Sequence, residues 1–217
     1  GQAFRNAITL DEECWTAWWH LTVVHRENKE YSQAQDCLQV LEENLGDSAQ
    51  LSNEQGLLAF AKEEWREAQR YFQHALRQTP TSEAEIYCNL ALALREEGET
   101  NSDIIFQYLE KALELEPDYA NSYIHFALLL EQEGEKQGAI GTMEYAAQRF
   151  PNNIDIQLHW ALMLAQEDRG RAIELMKNLV SLDPKRASLW LQLGHLYIET
   201  NDKENAMEAF HKCLQLD

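Results

Sequence analysis

The sequence predicts an all-α fold, a solenoid of stacked helix pairs. Similar residues recur about every 34 residues along nearly the whole chain of 217 residues, an interval typical of a repeated helix pair. Pro117 and Pro151 lie one such interval apart, and Pro184 follows after a slightly shorter one. Because each unit of a repeat array packs mainly against its neighbours, this pattern predicts one elongated array rather than two globular domains.

A small residue recurs at one place in every unit when the units are counted so that Trp190 is the fourth residue of the last one. Position eight then holds Thr22, Gly56, Ala91, Ala127, Ala161 and Gly194. Position twenty-four holds a large apolar residue: Leu38, Phe72, Leu109, Met143, Met176 and Phe210. Position twenty holds Ala34, Ala68, Ile105, Ala139, Ala172 and Ala206. Small residues facing large ones let two helices interdigitate. Each unit is therefore predicted to pack a first helix, A, on a second helix, B, closely at positions eight and twenty.

Each element follows from this frame as part of a single continuous domain. Residues 1–14 match only the second helix of a truncated repeat, with Phe4 and Ala7 on the apolar positions of helix B. The complete units are predicted at 15–48 (repeat 1), 49–82 (repeat 2), 83–119 (repeat 3), 120–153 (repeat 4), 154–186 (repeat 5) and 187–217 (repeat 6). Repeat 3 carries three extra residues, and repeat 5 is one residue short in the turn between its helices.

The two ends of the sequence do not coincide with complete, capped repeats. It begins inside a helix B and ends without a polar capping helix, which solenoids generally need for solubility. We therefore expect a segment of a longer protein. Apolar faces exposed on the terminal helices would then invite association into a homo-oligomer.

The last unit carries the most specific motif of the chain. Its residues follow W-x2-L-G-x2-Y and then A-x3-F: Trp190, Leu193, Gly194, Tyr197, Ala206 and Phe210. This spacing resembles the tetratricopeptide repeat family (TPR), and the resemblance covers essentially the whole chain. It implies a right-handed α-solenoid of stacked antiparallel helix pairs, a TPR superhelix whose A helices line a concave groove. Members of this family commonly bind an extended peptide or a helix of a partner protein there.

Two branches of the family are disfavoured by particular residues. Those that clamp acidic chaperone tails use lysine and arginine on helix A, whereas position five here holds Trp19, Asn53, Cys88, Ile124, Leu158 and Leu191. The repeat arm of O-linked N-acetylglucosamine transferases carries an asparagine ladder at position six, and only Asn89 matches it. The resemblance therefore predicts an interaction scaffold without identifying its partner.

Composition limits the classes of partner and the compartment. A net charge of −19 repels nucleic-acid phosphates and anionic lipids, so we expect a protein or peptide partner and no nucleic acid. No apolar run reaches the roughly 18 residues of a membrane span, so no membrane insertion is expected. The four cysteines form no C-x2-C pair and are expected to be isolated thiols. They favour a reducing, cytoplasmic location, and a periplasmic one stays open.

A polar stripe between apolar ones marks the predicted binding site. Position six is polar in every unit, whereas positions five and nine are largely apolar, and a peptide groove needs both apolar area and aligned donors. The predicted concave-face residues are Trp19, His20, Leu57, Asn89, Leu92, Ile124, His125, Leu128, Leu158, His159, Leu191, Gln192 and His195. The alternative is that these residues pack on neighbouring A helices as part of the core.

No residue pattern indicates catalysis or a cofactor. His125 and His159 could lie on adjacent A helices, but no cysteine or carboxylate is spaced to complete a zinc site. Glycine-rich phosphate loops, the G-x-S-x-G motif and H-E-x-x-H are absent from the sequence. We expect no enzyme, no metal and no cofactor in this chain. The alternatives are the repeat arm of a larger enzyme, such as a transferase, and a self-associating assembly module.

Acidic residues concentrate in the turns between helices A and B. They are Glu63, Glu64, Glu96, Glu97, Glu99, Glu131, Glu133, Glu135, Glu167, Asp168, Asp202 and Glu204. Stacked repeats would place them along one edge, where they keep the protein soluble or attract a basic partner.

Overall fold

The computed structural model describes residues 2–11, 13–78, 84–98 and 102–216, and these form thirteen α-helices and no strand. The helices are α1 (Gln2–Leu10), α2 (Trp15–Glu27), α3 (Tyr31–Leu45), α4 (Ala49–Ala61), α5 (Trp65–Gln78), α6 (Ala84–Glu97), α7 (Ser102–Leu115), α8 (Ala120–Gln132), α9 (Lys136–Arg149), α10 (Ile154–Leu164), α11 (Arg169–Leu182), α12 (Ala187–Glu199) and α13 (Lys203–Leu216). The predicted all-α fold of paired helices is confirmed.

Residue contacts divide the chain into two compact units, Gly1–Ser122 and Tyr123–Asp217, and the division falls inside α8. In unit 1, the first core cluster gathers apolar side chains of α3 and α4: Ala34, Leu38, Leu41, Leu51 and Leu58. A second cluster joins α4, α5 and α6 around Phe72, Ile86 and Leu90. Because these clusters use both helices of one pair and the first helix of the next, successive pairs share a continuous core.

Unit 2 repeats this arrangement with one cluster that runs through α10, α11, α12 and α13. Met176 of α11 and Leu189 of α12 are fully buried in it, and Trp190 packs against its edge. Ile173 and Val180 of α11 are buried in the same cluster, beside α12. The side of helix B that faces the next pair is therefore apolar.

The close approach of helix A to helix B centres on positions eight and twenty-four. A Cβ atom placed on Gly56 would lie 2.5 Å from the Cε1 atom of Phe72, and one on Gly194 would lie 2.5 Å from the Cε1 atom of Phe210. No real carbon pair tolerates such a distance. Only glycine fits these two pairs without displacing the ring, because the ring at position twenty-four occupies the space that a side chain at position eight would fill.

The turn between helices A and B has a left-handed residue at one fixed position. That residue is Lys29, Glu63, Gly98, Gly134 or Asn201, with φ between 60° and 90°. After Lys29, Glu63, Gly134 and Asn201, the amide of the next residue donates to a carbonyl five residues earlier, as in Glu135 to Leu130. Repeat 5 is the exception: Asp168 stands there with φ −135° and caps α11 instead, accepting from the amide of Arg171. Its shorter turn removes the left-handed residue.

Candidate functional site

The A helices of unit 1 lie side by side, and polar side chains join them. Arg26 of α2 forms an ion pair of 3.4 Å with Glu54 of α4, and the Asn89 amide of α6 donates to the Asn53 oxygen of α4 at 3.2 Å. These contacts place position six of α4 and α6 on the line where adjacent A helices meet. The role of this polar stripe in binding a partner stays a prediction.

The predicted site residues of unit 1 are mostly half-buried. Trp19 packs against the first core cluster, and Leu57 packs against the second. Leu92 and Asn89 are also half-buried. His20 is exposed, and its ring stacks on that of Phe4 at a centroid distance of 5.0 Å. Each of these side chains keeps some surface that a partner could contact.

Position five is buried in repeats 2 to 5, although it is half-buried at Trp19 and exposed at Leu191. Asn53 and Cys88 are buried in unit 1, and the Cys88 thiol lies 3.0 Å from the Ser122 hydroxyl. In unit 2, Ile124 is only 6% exposed and Leu158 only 9%. These two predicted site residues have little area available for a partner, because they pack inside the helix array.

The outward face of α12 is the most accessible part of the predicted site. Leu191 is 39% exposed, and His195 is also exposed, with its ring edge against Phe210 at 5.4 Å. Gln192 is half-buried, as are the other predicted residues of unit 2: His125, Leu128 and His159. Ile198, 53% exposed, continues this face and was missed by the sequence prediction. Its spacing of three and seven residues from His195 and Leu191 is the signal that could have found it.

Burial shifts two groups of the position-six stripe toward their neutral forms. Desolvation raises the pKa of Glu54, with Arg26 opposing the shift. Desolvation lowers the pKa of His159, with Asp155 opposing it and Arg186 adding to it. The latter two form an ion pair of 2.6 Å that joins α10 to the start of α12. Both side chains are half-buried, and this partial removal from water is the main cause of both shifts.

Many carboxylates of the turns link successive repeats. Glu97 at the end of α6 accepts from Arg66 and, at 2.6 Å, from Gln69, both on α5. Glu167, after α10, accepts from Gln137 of α9. Of the other acidic turn residues named in the sequence analysis, Glu99 lies outside the described residues. The recurring bond, from the start of one helix B to the end of the next helix A, gives these carboxylates a structural role.

Known proteins were compared with this chain. A family model described as tetratricopeptide repeat matches residues 84–119 and 187–217, and a second model of the same description matches residues 53–101. The chain is a tetratricopeptide repeat protein.

Curated relatives of this tetratricopeptide repeat chain are much longer proteins. The human protein O-mannosyl-transferase TMTC3 is 24% identical over 225 residues, covering 99% of this chain and 24% of that protein. The general transcriptional corepressor ssn6 of Schizosaccharomyces pombe is 28% identical over 94 residues, covering 43% of this chain and 8% of that protein. The chain thus corresponds to a minor part of each.

A similar solved structure is the APC/C hetero-tetramer Cut9-Hcn1, with a TM-score of 0.77 and 18% identity. The match covers 99% of this chain and 42% of that one. At this identity the likeness shows the tetratricopeptide repeat fold alone.

Within 2–11, 13–78, 84–98 and 102–216, no group of three or more histidine, cysteine, aspartate or glutamate residues could hold a metal ion. No helix in these ranges is both long and apolar enough to cross a membrane.

Proposed function

We propose that this tetratricopeptide repeat chain is a scaffold for protein interactions and that it binds a peptide or helix of its partner on the outward faces of its A helices. The observation that carries the proposal is the face of α12. Leu191 and Ile198 are exposed there with His195 between them, while Leu189, Leu193 and Leu196 of the same helix are buried in the core. A helix that has already buried one apolar side has a second apolar stripe available for a partner.

Unit 1 supports the same proposal with a different mixture of side chains. Trp19, Leu57 and Leu92 provide half-buried apolar surface on α2, α4 and α6. The hydrogen-bonded side chains of Asn53 and Asn89 lie between α4 and α6. Large aromatic side chains contribute strongly to binding, whereas amides set the register of a bound peptide. Either unit by itself can therefore offer both affinity and specificity.

Two similar proteins point the same way. The relative from fission yeast is a corepressor, and the solved structure is a hetero-tetramer. These statements belong to those proteins, and they favour a protein partner for this chain without naming it.

The test is to capture partners from the source cell with the tagged chain and to measure how two variants change the affinity. The double variant Leu191→Asp and Ile198→Asp places two charges on the α12 face. We expect affinity to fall more than tenfold, since anchors of this kind often contribute about 2 kcal/mol. The control is Leu182→Asp, which makes the same chemical change at a residue that is 71% exposed at the end of α11.

Salt provides a second, independent readout. Apolar contact predicts an affinity that changes little with ionic strength, whereas attraction to the acidic turns would be screened beyond about 10 Å at 0.1 M salt. A partner that tolerates the α12 double variant but is lost with Glu133→Lys and Glu204→Lys would refute the A-helix proposal. The acidic edge would then be the site.

A second candidate function is the repeat arm of a larger enzyme. It is favoured by the match to the O-mannosyl-transferase, which covers 99% of this chain but only 24% of that protein. The parent gene decides between the two: an adjoining transferase domain supports the arm, and repeats alone support the scaffold.

A further inference from the structure

A cleft of about 540 Å³ in unit 1 opens between α1, α2 and α3, away from the A-helix positions of the proposed groove. Its half-buried apolar lining consists of Ile8, Trp15, Trp18 and Val40. Three exposed polar residues complete it: Thr9, Glu13 and Asn44. The volume is within the usual range of small-ligand sites, about 300–1,000 Å³. Two indole rings in one cleft are a large concentration of aromatic surface.

The three exposed polar side chains of the cleft each present an oxygen that can accept a hydrogen bond. The Thr9 hydroxyl already donates its proton to the Arg5 carbonyl at 2.9 Å, so its oxygen can only accept. The Asn44 amide nitrogen donates to the Val40 carbonyl at 2.8 Å, so its oxygen is the end left to accept from a ligand. Glu13 adds a carboxylate. None of the described residues that line the cleft is basic.

This combination selects a cation with several N–H donors. Indole faces attract cations through the ring quadrupole, and a guanidinium group is planar, stacks on aromatic rings and presents five donors. A net charge of −19 for the whole chain attracts basic partners from a distance. From these contacts we infer that the cleft binds the guanidinium group of an arginine side chain on a partner protein.

The matching cleft of unit 2 already contains a basic side chain of the chain itself. Its lining includes Val180, Ser181 and Trp190, which occupy the same repeat positions as Ile8, Thr9 and Trp18. Lys177 also lines it, and its volume is only about 200 Å³. In unit 1 the position of Lys177 corresponds to Arg5, which is exposed and does not line the cleft. The Lys177 ammonium bonds to Glu174 of the same helix at 2.9 Å, whereas no described residue that lines the unit 1 cleft carries a positive charge.

The experiment titrates the full chain, labelled with ¹⁵N at its tryptophan indoles, with the peptide acetyl-Gly-Arg-Gly-amide and follows the indole signals by NMR. We expect saturable shifts of the Trp15 and Trp18 signals and no comparable shift of Trp190. The same peptide with citrulline in place of arginine keeps the shape and removes the charge, and it should bind at least about fivefold more weakly. Equal binding of the two peptides would overturn the inference.

Variants separate this site from general attraction to an acidic protein. Glu13→Gln should weaken the arginine peptide about threefold or more, whereas Glu27→Gln, exposed on α2 outside the cleft, changes the net charge equally and should leave affinity unchanged. Trp15→Leu should weaken binding several-fold with unchanged helicity by circular dichroism, because it keeps apolar volume but removes the ring. An equal loss with both glutamate variants, or a full affinity with Trp15→Leu, would refute the site. The proposed A-helix face shares none of these changes, so the two proposals fail separately.

Discussion

The helix pairs α4–α5 and α10–α11 both pack closely at positions eight and twenty-four, but with different side chains there. In α4–α5 the ring of Phe72 fills the space above Gly56 so completely that an added Cβ would lie 2.5 Å from it. In α10–α11, Ala161 and Met176 are both fully buried in one cluster. A rigid ring at position twenty-four excludes even a methyl group at position eight, whereas flexible methionine leaves room for one. The size of the small residue is therefore set by the shape of its partner.

The same two A helices also differ at position six. Glu54 of α4 and His159 of α10 are both partly buried, and burial shifts the pKa of each group toward its neutral form. An acid and a base respond oppositely to such burial, so the two helices should respond oppositely to pH. Four predictions sharpen this comparison.

The largest expected effect comes from removing the ring. Phe72→Ala should reduce the free energy of unfolding by about 3–5 kcal/mol, because Gly56 has no side chain that could move into the cavity. Met176→Ala is the matched change in α11, and its cost in the free energy of unfolding should be smaller, near the lower end of about 2–5 kcal/mol. Urea titrations followed by circular dichroism at 222 nm measure both, and a smaller cost for the phenylalanine variant would contradict the comparison.

Adding a methyl group to the glycine comes next. Gly56→Ala should destabilise the protein by about 1–3 kcal/mol through overpacking, although alanine favours helices. The control is Gly141→Ala in α9, where an added Cβ meets nothing within 4 Å. That variant should gain about 0.5–1 kcal/mol. Two variants with the same sign in thermal denaturation would show that contact with Phe72 is not decisive.

The third prediction concerns the coupling of the two positions. Phe72→Leu combined with Gly56→Ala recreates the alanine and leucine that α6–α7 already uses at Ala91 and Leu109. The double variant should be less destabilised than the sum of its single variants, with a coupling of about 0.5–3 kcal/mol. A complete double-mutant cycle by urea titration measures it. Strict additivity would mean that the two positions act independently.

The smallest effect is the pH dependence of the position-six groups. The pKa of His159 is lowered by burial, so the folded protein binds fewer protons there than the unfolded chain. Its stabilisation is complete above the unfolded pKa of about 6.5 and is lost as pH falls. His159→Gln should therefore flatten the decline of melting temperature between pH 7 and pH 5, while a decline as steep as that of the parent would contradict the assignment.

Glu54 should behave in the opposite way. Because burial raises the pKa of Glu54, its stabilisation is present below the unfolded pKa of about 4.3 and is lost as pH rises through the folded pKa. Glu54→Gln should remove that loss, so that the variant gains stability relative to the parent between pH 4 and pH 7. A variant that gains nothing over this range would show that the ion pair with Arg26 outweighs burial.

The sequence by itself determined the pairing of helices and their phase along the chain. Helix B of every repeat buries its residue at position twenty, including Ile105, where the alanine is missing. The proline spacing indicates that repeat 5 is one residue short. In the structure the shortened segment is the turn at Asp168. Such features are predictable because helix propensity, apolar period and turn residues are local and act within about 34 residues.

Tertiary structure decided how much of the predicted site is accessible. Ile124, Leu158 and Leu191 all stand at position five of their repeats, yet the first two are buried and the third is 39% exposed. Only the structure shows that Ile198, three residues after His195, is 53% exposed, and that a cleft lined by Trp15 and Trp18 opens beside Glu13. Exposure depends on which neighbouring helix covers a side chain and at what distance. That is settled by the stacking of whole repeats, which no single repeat encodes.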